Sequence, residues 1–475
     1  MTGLWKHQRD EVNDHALDTA RALFWEPRVG KSRATIESVH RMILEEGMMR
    51  VLVVGPIMAL RMTWASEVKQ GFRMDAVDLT QGTIAKRAEM LQALRGYGAE
   101  TPQIVLVNYE VLKALEPALL KWSPQVVIAD EAHLIKSASA KRTKVMVKLG
   151  RQAQYRRALT GTPTPRSYSD LYSQYLFLDP TIFGTSKKRF EQEYCYTHPT
   201  FRSKIIGYKN LPELERKAFS IASRVTRAEC FDLPEVQEIE RCIELPAKAK
   251  VAYDQMMRES VLEMEGLPYV DATHKLSRLV KLQKLCSGFI TDDNDDAVWV
   301  HRAKIDAVLE ELEDHIEAGE KIVVSYIFRH EGAELEAAIR AQFKNCEVDR
   351  LSGQTPQKDR ARITEPFSFG NRNQGRGARV LIVQEAVGGL GISLASADHM
   401  IISSSSMDAA AHSQLRDRIW SPSKKITYTY LRVPNSVDTF IKRILATKDQ
   451  ASRALLDIGF QSAASGEFGC DNVAA

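Results

Sequence analysis

Residues 125–133 read Gln125-Val-Val-Ile-Ala129 and then Asp130-Glu131-Ala132-His133. Four apolar, mostly branched residues in a row read as a strand buried on both faces, and the acidic pair closes it at its carboxyl end. Similar runs stand upstream at Val51-Leu-Val-Val54 and Ile104-Val-Leu-Val107. Amphipathic stretches, Arg33 to Glu46 and Thr83 to Leu94, separate the runs. Short buried strands alternating with helices predict a parallel α/β sheet. The texture returns at Lys321 to Ser325, Arg379 to Val383 and His399 to Ile402. The expectation is therefore two α/β domains. Leu211 to Phe289 reads as mostly helical, Phe369 to Gly377 as a mobile loop, and the polar run from Ser462 as a fraying end.

Length and charge narrow the classes. The chain has 475 residues, 44% hydrophobic and 27% charged, with Lys plus Arg at 65 and Asp plus Glu at 61. A net charge of +4 excludes a histone-like basic binder but leaves room for a local basic groove. No apolar run reaches the roughly 18 residues of a membrane helix, and the charged N-terminus lacks the core of a secretory signal. The six cysteines form no C-x-x-C pair, so a zinc ribbon is not expected, and free thiols suggest a reducing compartment.

Two motifs point to nucleotide chemistry. In Leu23 to Ser32, LFWEPRVGKS, an apolar run enters a turn and Gly30-Lys31-Ser32 opens a helix. Phosphates bind where helix-start N–H groups, a lysine and a hydroxyl converge, the hydroxyl reaching Mg2+. Trp25 occupies the first glycine position of the full pattern, so this motif alone is also compatible with an ordinary helix start. The acidic pair supplies the complement. Asp130 can hold Mg2+ through water, and Glu131 can orient and deprotonate the attacking water.

With these two motifs in place, the chain resembles the ATPase motors of helicase superfamily 2, in the Swi/Snf-related branch. Leu4-Trp-Lys-His-Gln8 looks like the adenine-reading motif, with Gln8 as the base reader. Trp25 to Ser32, including Arg28, resembles the branch's phosphate loop. Val51 to Glu67, with Pro56 and Trp64, and Val107 to Val111, with Asn108 and Tyr109, resemble nucleic-acid-gripping motifs. Leu134 to Ser137 and Ser139 to Arg142 resemble the branch's extended acidic motif. Thr160-Gly161-Thr162 resembles the motif that couples hydrolysis to strand contact, and His133 reads as a coupling residue rather than a metal ligand. In the second half, Lys304 to Arg329, Leu351 to Thr355 and Arg360 to Phe367 follow the family's order. Gln384 to Leu394, with Gly388, Gly389 and Gly391, resembles the glycine-rich motif that binds strand and bridges to ATP. Gln414-Leu-Arg-Asp417-Arg418 resembles the last motif, with Gln414 coupling and Arg418 as the arginine finger. The family's second arginine is replaced by Ser421, so either Arg418 suffices alone or Lys424 or Lys425 reaches in.

The resemblance implies two tandem RecA-like domains with parallel sheets and helical insertions. They would span 1–230 and 231–475, with an insertion near 247–290. It implies ATP and Mg2+ as ligands, a monomer, and duplex, forked or branched DNA as the track. Single-stranded-DNA-binding, replication or recombination proteins are candidate partners. The phosphate loop looks most like compact bacterial and phage forms, so the cytoplasm of a prokaryotic host is the expected place. Residues 136 to 157 carry eight cations and no acid, among them Lys136, Lys141, Arg142 and Lys144. They read as a phosphate-tracking surface or a solvated face. Tyr168, Tyr172, Tyr175 and Phe177 read as core packing rather than base stacking. The competing readings are a nucleotide-switched DNA clamp with weak turnover, an RNA helicase and, more distantly, a metabolite kinase.

Overall fold

The computed structural model describes residues 3–96, 101–164, 168–198, 205–230, 236–265, 272–292, 294–368, 377–390, 392–420 and 424–446. The chain divides into one unit ending at Asp232 and a second running from Leu233 to Asp449.

The first unit is built on seven strands. They are β1 (Ala20–Leu23), β2 (Arg50–Gly55), β3 (Val77–Asp78), β4 (Gln103–Asn108), β5 (Val126–Asp130), β6 (Tyr155–Leu159) and, beyond the small antiparallel pair β7 (Cys195–Thr197) and β8 (Ile205–Tyr208), β9 (Ala222–Ser223). All sheet pairings are parallel, in the order β3-β4-β2-β5-β6-β1-β9. The runs Val51–Val54, Ile104–Val107 and Val126–Ala129 are buried throughout, as strands covered on both faces must be. Helix Lys31–Glu46 starts at Gly30 and stops at Gly47, both with left-handed backbone. The amide of Gly47 closes on the Ile43 carbonyl at 3.1 Å, a glycine stop that satisfies a last-turn acceptor. Tyr168, Tyr172, Tyr175 and Phe177 are buried in the core around helix Asp170–Leu178, as packing residues.

The second unit carries β10 (Val236–Cys242), the antiparallel pair β11 (Phe289–Thr291) and β12 (Ala297–Trp299), β13 (Lys321–Tyr326), β14 (Glu347–Leu351), β15 (Arg379–Gln384), β16 (His399–Ile402) and β17 (Ile426–Arg432). Its six-stranded sheet is parallel, ordered β10-β17-β16-β13-β15-β14. The segment expected to be helical near 247–290 holds helices Ala247–Glu265 and Ala272–Cys286. Helices dominate Leu211 to Phe289 as expected, and strand β10 is the main exception within it. It is a largely exposed edge strand, VQEIERC, paired on one side to β17. Its alternating charges blunt the open edge and hide the apolar signal by which buried strands are recognised. Lys304 is buried, with Nζ 2.7 Å from Asp438 Oδ2 and 3.0 Å from the Ser403 carbonyl, and it anchors helix Ala303–Glu317 to the end of the sheet. The mobile-loop and fraying-end expectations fall mainly on residues 369–376 and 462–475, outside the described residues.

Candidate functional site

Strand order assembles the site in the first unit. β6 lies between β5 and β1. The carboxyl ends of these three neighbours carry Asp130, then Thr160 to Thr162, then the loop from Phe24 to Gly30. Ligands of open parallel sheets bind at such carboxyl ends.

The phosphate loop is held in an unusual backbone. Arg28 and Gly30 both have positive φ, +68° and +81°. A side chain at Gly30 would meet Gln8 Nε2 at 2.0 Å, so the loop and the first helix share that space only because residue 30 is glycine. Gln8 is buried, and its amide joins two segments. Its Oε1 accepts from the Trp5 amide at 2.9 Å and its Nε2 donates to the Gly30 carbonyl at 3.3 Å. Lys31 Nζ donates to the carbonyls of Trp25 at 2.8 Å and Glu26 at 3.1 Å. An ammonium folded onto its own loop's carbonyls stands ready to exchange them for phosphate oxygens. Ser32 is the second residue of the helix and half-buried.

Asp130 is buried at the end of β5. Its Oδ2 accepts the Trp64 indole N–H at 2.8 Å and its Oδ1 accepts the Glu131 amide at 3.1 Å. Burial, and next the Glu131 charge, push its carboxyl up to about 6, against the pull of the Trp64 bond and Lys31. Two adjacent carboxylates that resist sharing negative charge suit a cation, which relieves both causes at once. Glu131 itself sits in left-handed backbone, φ +51°, a strain of roughly 1–2 kcal/mol for a residue with a Cβ. Its Oε2 lies 3.3 Å from His133 Nδ1, which also stands 3.1 Å from Thr160 Oγ1. Thr160 Oγ1 accepts the Thr162 amide, and the Thr160 amide donates to the Leu23 carbonyl. A Cβ at Gly161 would stand 3.0 Å from Pro27 Cδ. The acidic pair, the residues after β6 and the phosphate loop are thus one bonded assembly.

Several expected nucleic-acid contacts have other occupations. Trp64 is fully buried and its indole holds Asp130, so its ring offers no face to a strand. Asn108 is buried and donates to Glu110 at 2.6 Å. Tyr109 is buried and its hydroxyl donates to the Asp130 carbonyl at 2.8 Å. Pro56 follows β2 and is half-buried. The eight-cation run also divides. Arg157 is buried against the carbonyls of Ala16 and Asp18, and Arg156 caps those of Gly150 and Ala153. Lys148 pairs with Glu116 at 2.6 Å. Lys141 and Lys144 are exposed on helix Lys141–Gln152, with Arg142 and Lys136 half-exposed. Spacing along the chain could not separate these roles, because β6 follows that helix directly and turns its arginines inward.

In the second unit, Gln414 and Arg418 stand four residues apart on helix Ala409–Ile419, hence on one face, both half-exposed. Arg418 Nε donates to the Gly388 carbonyl at 2.8 Å. A Cβ at Gly388 would meet Leu415 Cβ at 2.6 Å, so the helix reaches the glycine-rich turn Glu385–Leu390, which includes Gly389, only because residue 388 lacks a side chain. Gly391 and Ser421 lie outside the described residues. Lys424 is buried, bonded to the Ala397 carbonyl and 3.2 Å from Asp398, and is therefore not placed to replace an arginine finger.

Residues 18–288, more than half of the chain, match the family model described as SNF2-related domain, and residues 303–422 match the helicase conserved C-terminal domain. The chain belongs to the SNF2-related ATPase family. Protein p41 of Acyrthosiphon pisum secondary endosymbiont phage 1 is 27% identical over 353 residues, covering 71% of this chain and 74% of that protein. An uncharacterized ATP-dependent helicase of Mycoplasma genitalium is 23% identical over 427 residues, covering 88% of this SNF2-related chain and 38% of the helicase. The chain therefore spans well under half the length of that relative. The Sulfolobus solfataricus SWI2/SNF2 ATPase core solved in complex with dsDNA aligns over 98% of this chain and 96% of that one, at 20% identity and a TM-score of 0.43. No helix among the described residues is long and apolar enough to cross a membrane.

The Trp64 bond yields a direct expectation. Trp64→Phe keeps most of the buried ring but removes a hydrogen bond to a charged group, a contribution of about 1.5–3 kcal/mol. If that bond aims Asp130 at the cation, kcat falls about ten- to a hundredfold and the Mg2+ concentration for half-maximal rate rises. An unchanged Mg2+ titration would leave Trp64 as packing alone.

Proposed function

We propose that this SNF2-related chain is an ATP-driven motor that moves along duplex DNA and remodels forks, junctions or bound proteins. The observation that carries the reading is the β5-β6-β1 adjacency, which bonds Asp130, Glu131, His133, Thr160 and the loop around Lys31 into one assembly. In this reading Gln8 reads the base, and Arg28, the loop amides around Gly30 and Lys31 hold phosphates. Ser32 and Asp130 hold Mg2+, which neutralises charge on the phosphates when bound. Glu131 takes the proton of the attacking water. His133 touches both Glu131 and Thr160, so a change at the water is felt by the segment after β6. Arg418 of the second unit supplies positive charge to the transferring phosphoryl group, and Gly388 and Gly389 let the DNA strand approach the backbone. Grip on DNA falls to Lys136, Lys141, Arg142 and Lys144 in the first unit.

The test is ATP hydrolysis titrated with linear duplex, forked, four-way-junction and single-stranded DNA, and with single-stranded RNA. Duplex or branched DNA is expected to stimulate most. Stimulation by RNA alone would make it an RNA helicase, and tight DNA binding without stimulated turnover would make it a clamp. Affinity for duplex is expected to fall with salt with a log–log slope of about −0.9 per phosphate contact. Neutralising Lys141, Arg142 and Lys144 together should flatten that slope by about two to three units. An unchanged slope would return the helix face to plain solvation.

A further inference from the structure

The second unit carries a cluster that nucleotide chemistry does not use. Glu311, His315 and His399 each offer one donor atom, and these atoms lie within 4.8 Å of one another; among the described residues this is the only such group. Glu311 and His315 are four residues apart on helix Ala303–Glu317 and so share a face. His399 is buried at the start of β16. Its Nε2 lies 3.9 Å from Glu311 Oε1, and its ring meets that of His315 edge-on at 4.3 Å.

Three further contacts shape the cluster toward a cation. His315 Nδ1 lies 2.6 Å from Glu320 Oε2. A carboxylate there holds the proton on Nδ1 and leaves Nε2 as the lone-pair donor, the outer pairing that metal-binding histidines show. Arg241 donates to Glu311 Oε2 at 3.3 Å, which fixes the carboxylate and leaves Oε1 to the cluster. The Thr429 hydroxyl sits between the remaining two groups: it donates to Glu311 Oε1 at 3.0 Å and accepts from the His399 Nε2–H at 2.9 Å. Two polar atoms from different elements thus already converge on one point.

We propose that Glu311, His315 and His399 bind one divalent transition-metal ion of the zinc class on the second unit. Two imidazoles and one carboxylate suit zinc better than Mg2+ or Ca2+, which prefer oxygen. Ligands on a tetrahedral zinc at about 2.0–2.1 Å stand roughly 3.4 Å apart, so the donors close by about an ångström on binding. His399 passes its Nε2 proton through solvent to Nδ1, Glu311 and His399 then exchange the Thr429 hydroxyl for the ion, and water completes the fourth position. The ion ties helix Ala303–Glu317 to β16 and needs no nucleotide.

The experiment uses the untagged full chain, stripped with chelator and titrated with Zn2+ against a chromophoric competing chelator. One tight site per chain is expected. His315→Gln and Glu311→Gln should each weaken it at least tenfold, and Glu320→Gln about tenfold through the ring it orients. Co2+ should give the strong visible bands of a tetrahedral site in the parent and lose them in His315→Gln. His315 is half-exposed, so that variant is expected to keep its metal-free melting temperature. Absence of stoichiometric Zn2+ in the parent, or equal affinity in a folded His315→Gln, overturns the proposal.

Discussion

Glu131→Gln is expected to bind ATP and hold it unhydrolysed, whereas Lys31→Ala is expected to lose both binding and turnover. The substitution at 131 keeps the shape and the left-handed backbone but removes the proton acceptor. General-base contributions run to about 10²–10⁴, and kcat should fall by that factor. Lys31 donates to the carbonyls of Trp25 and Glu26, groups it can leave for phosphate oxygens. Its loss removes ground-state attraction, so nucleotide affinity falls with the rate. Binding of a fluorescent ATP analogue beside single-turnover hydrolysis separates the two variants. Hydrolysis by Glu131→Gln at the parental rate would remove Glu131 as the base.

Arg418→Ala is expected to cut DNA-stimulated kcat by about 10³-fold or more, the range of arginine fingers in phosphoryl transfer, with ATP affinity changed far less. Few other cations of this segment can take the place of Arg418. Ser421 removes the family's second arginine, and Lys424 is tied to Ala397 and Asp398. Arg416, two residues away, lies against the Tyr428 ring at 4.4 Å and pairs with Glu238. Arg418 therefore carries the role alone or shares it with Lys425. A kcat within about twofold of the parent, under 0.5 kcal/mol, would take Arg418 off the list.

The sheets were legible because buried parallel strands write themselves as apolar runs. Val126 to Ala129 could be little else, while β10, charged and exposed, left no such trace. Residue types at the site were legible for the same kind of reason: phosphate, cation and water each demand particular groups at strand ends. Partners across the fold were not. Nothing local says that the Trp64 indole reaches 66 residues forward to Asp130, or that Tyr109 bonds the carbonyl of that same residue. The cation run misled for a related reason. Lys141 and Arg157 look alike in sequence, and only the turn of the chain between helix and strand sends one to water and the other inside. Glu311 and His315 display helical spacing, but their third companion lies 84 residues beyond His315.

Trp64 closes a π-helix, Ala59–Trp64, that continues into helix Ala65–Phe72. A π turn carries one residue more than an α turn. Losing one residue between 59 and 63 would let ordinary α winding take over, and because the π turn already absorbs one extra residue, everything beyond would keep its direction and the indole would still face Asp130. The segment thus tolerates a change of one residue in length more readily than a change of the letter at Trp64. In descendants of this sequence, a one-residue deletion there should survive without any change at the carboxylate, and a gap at this point in two related chains would mark lineages that aim the same aspartate with the same indole.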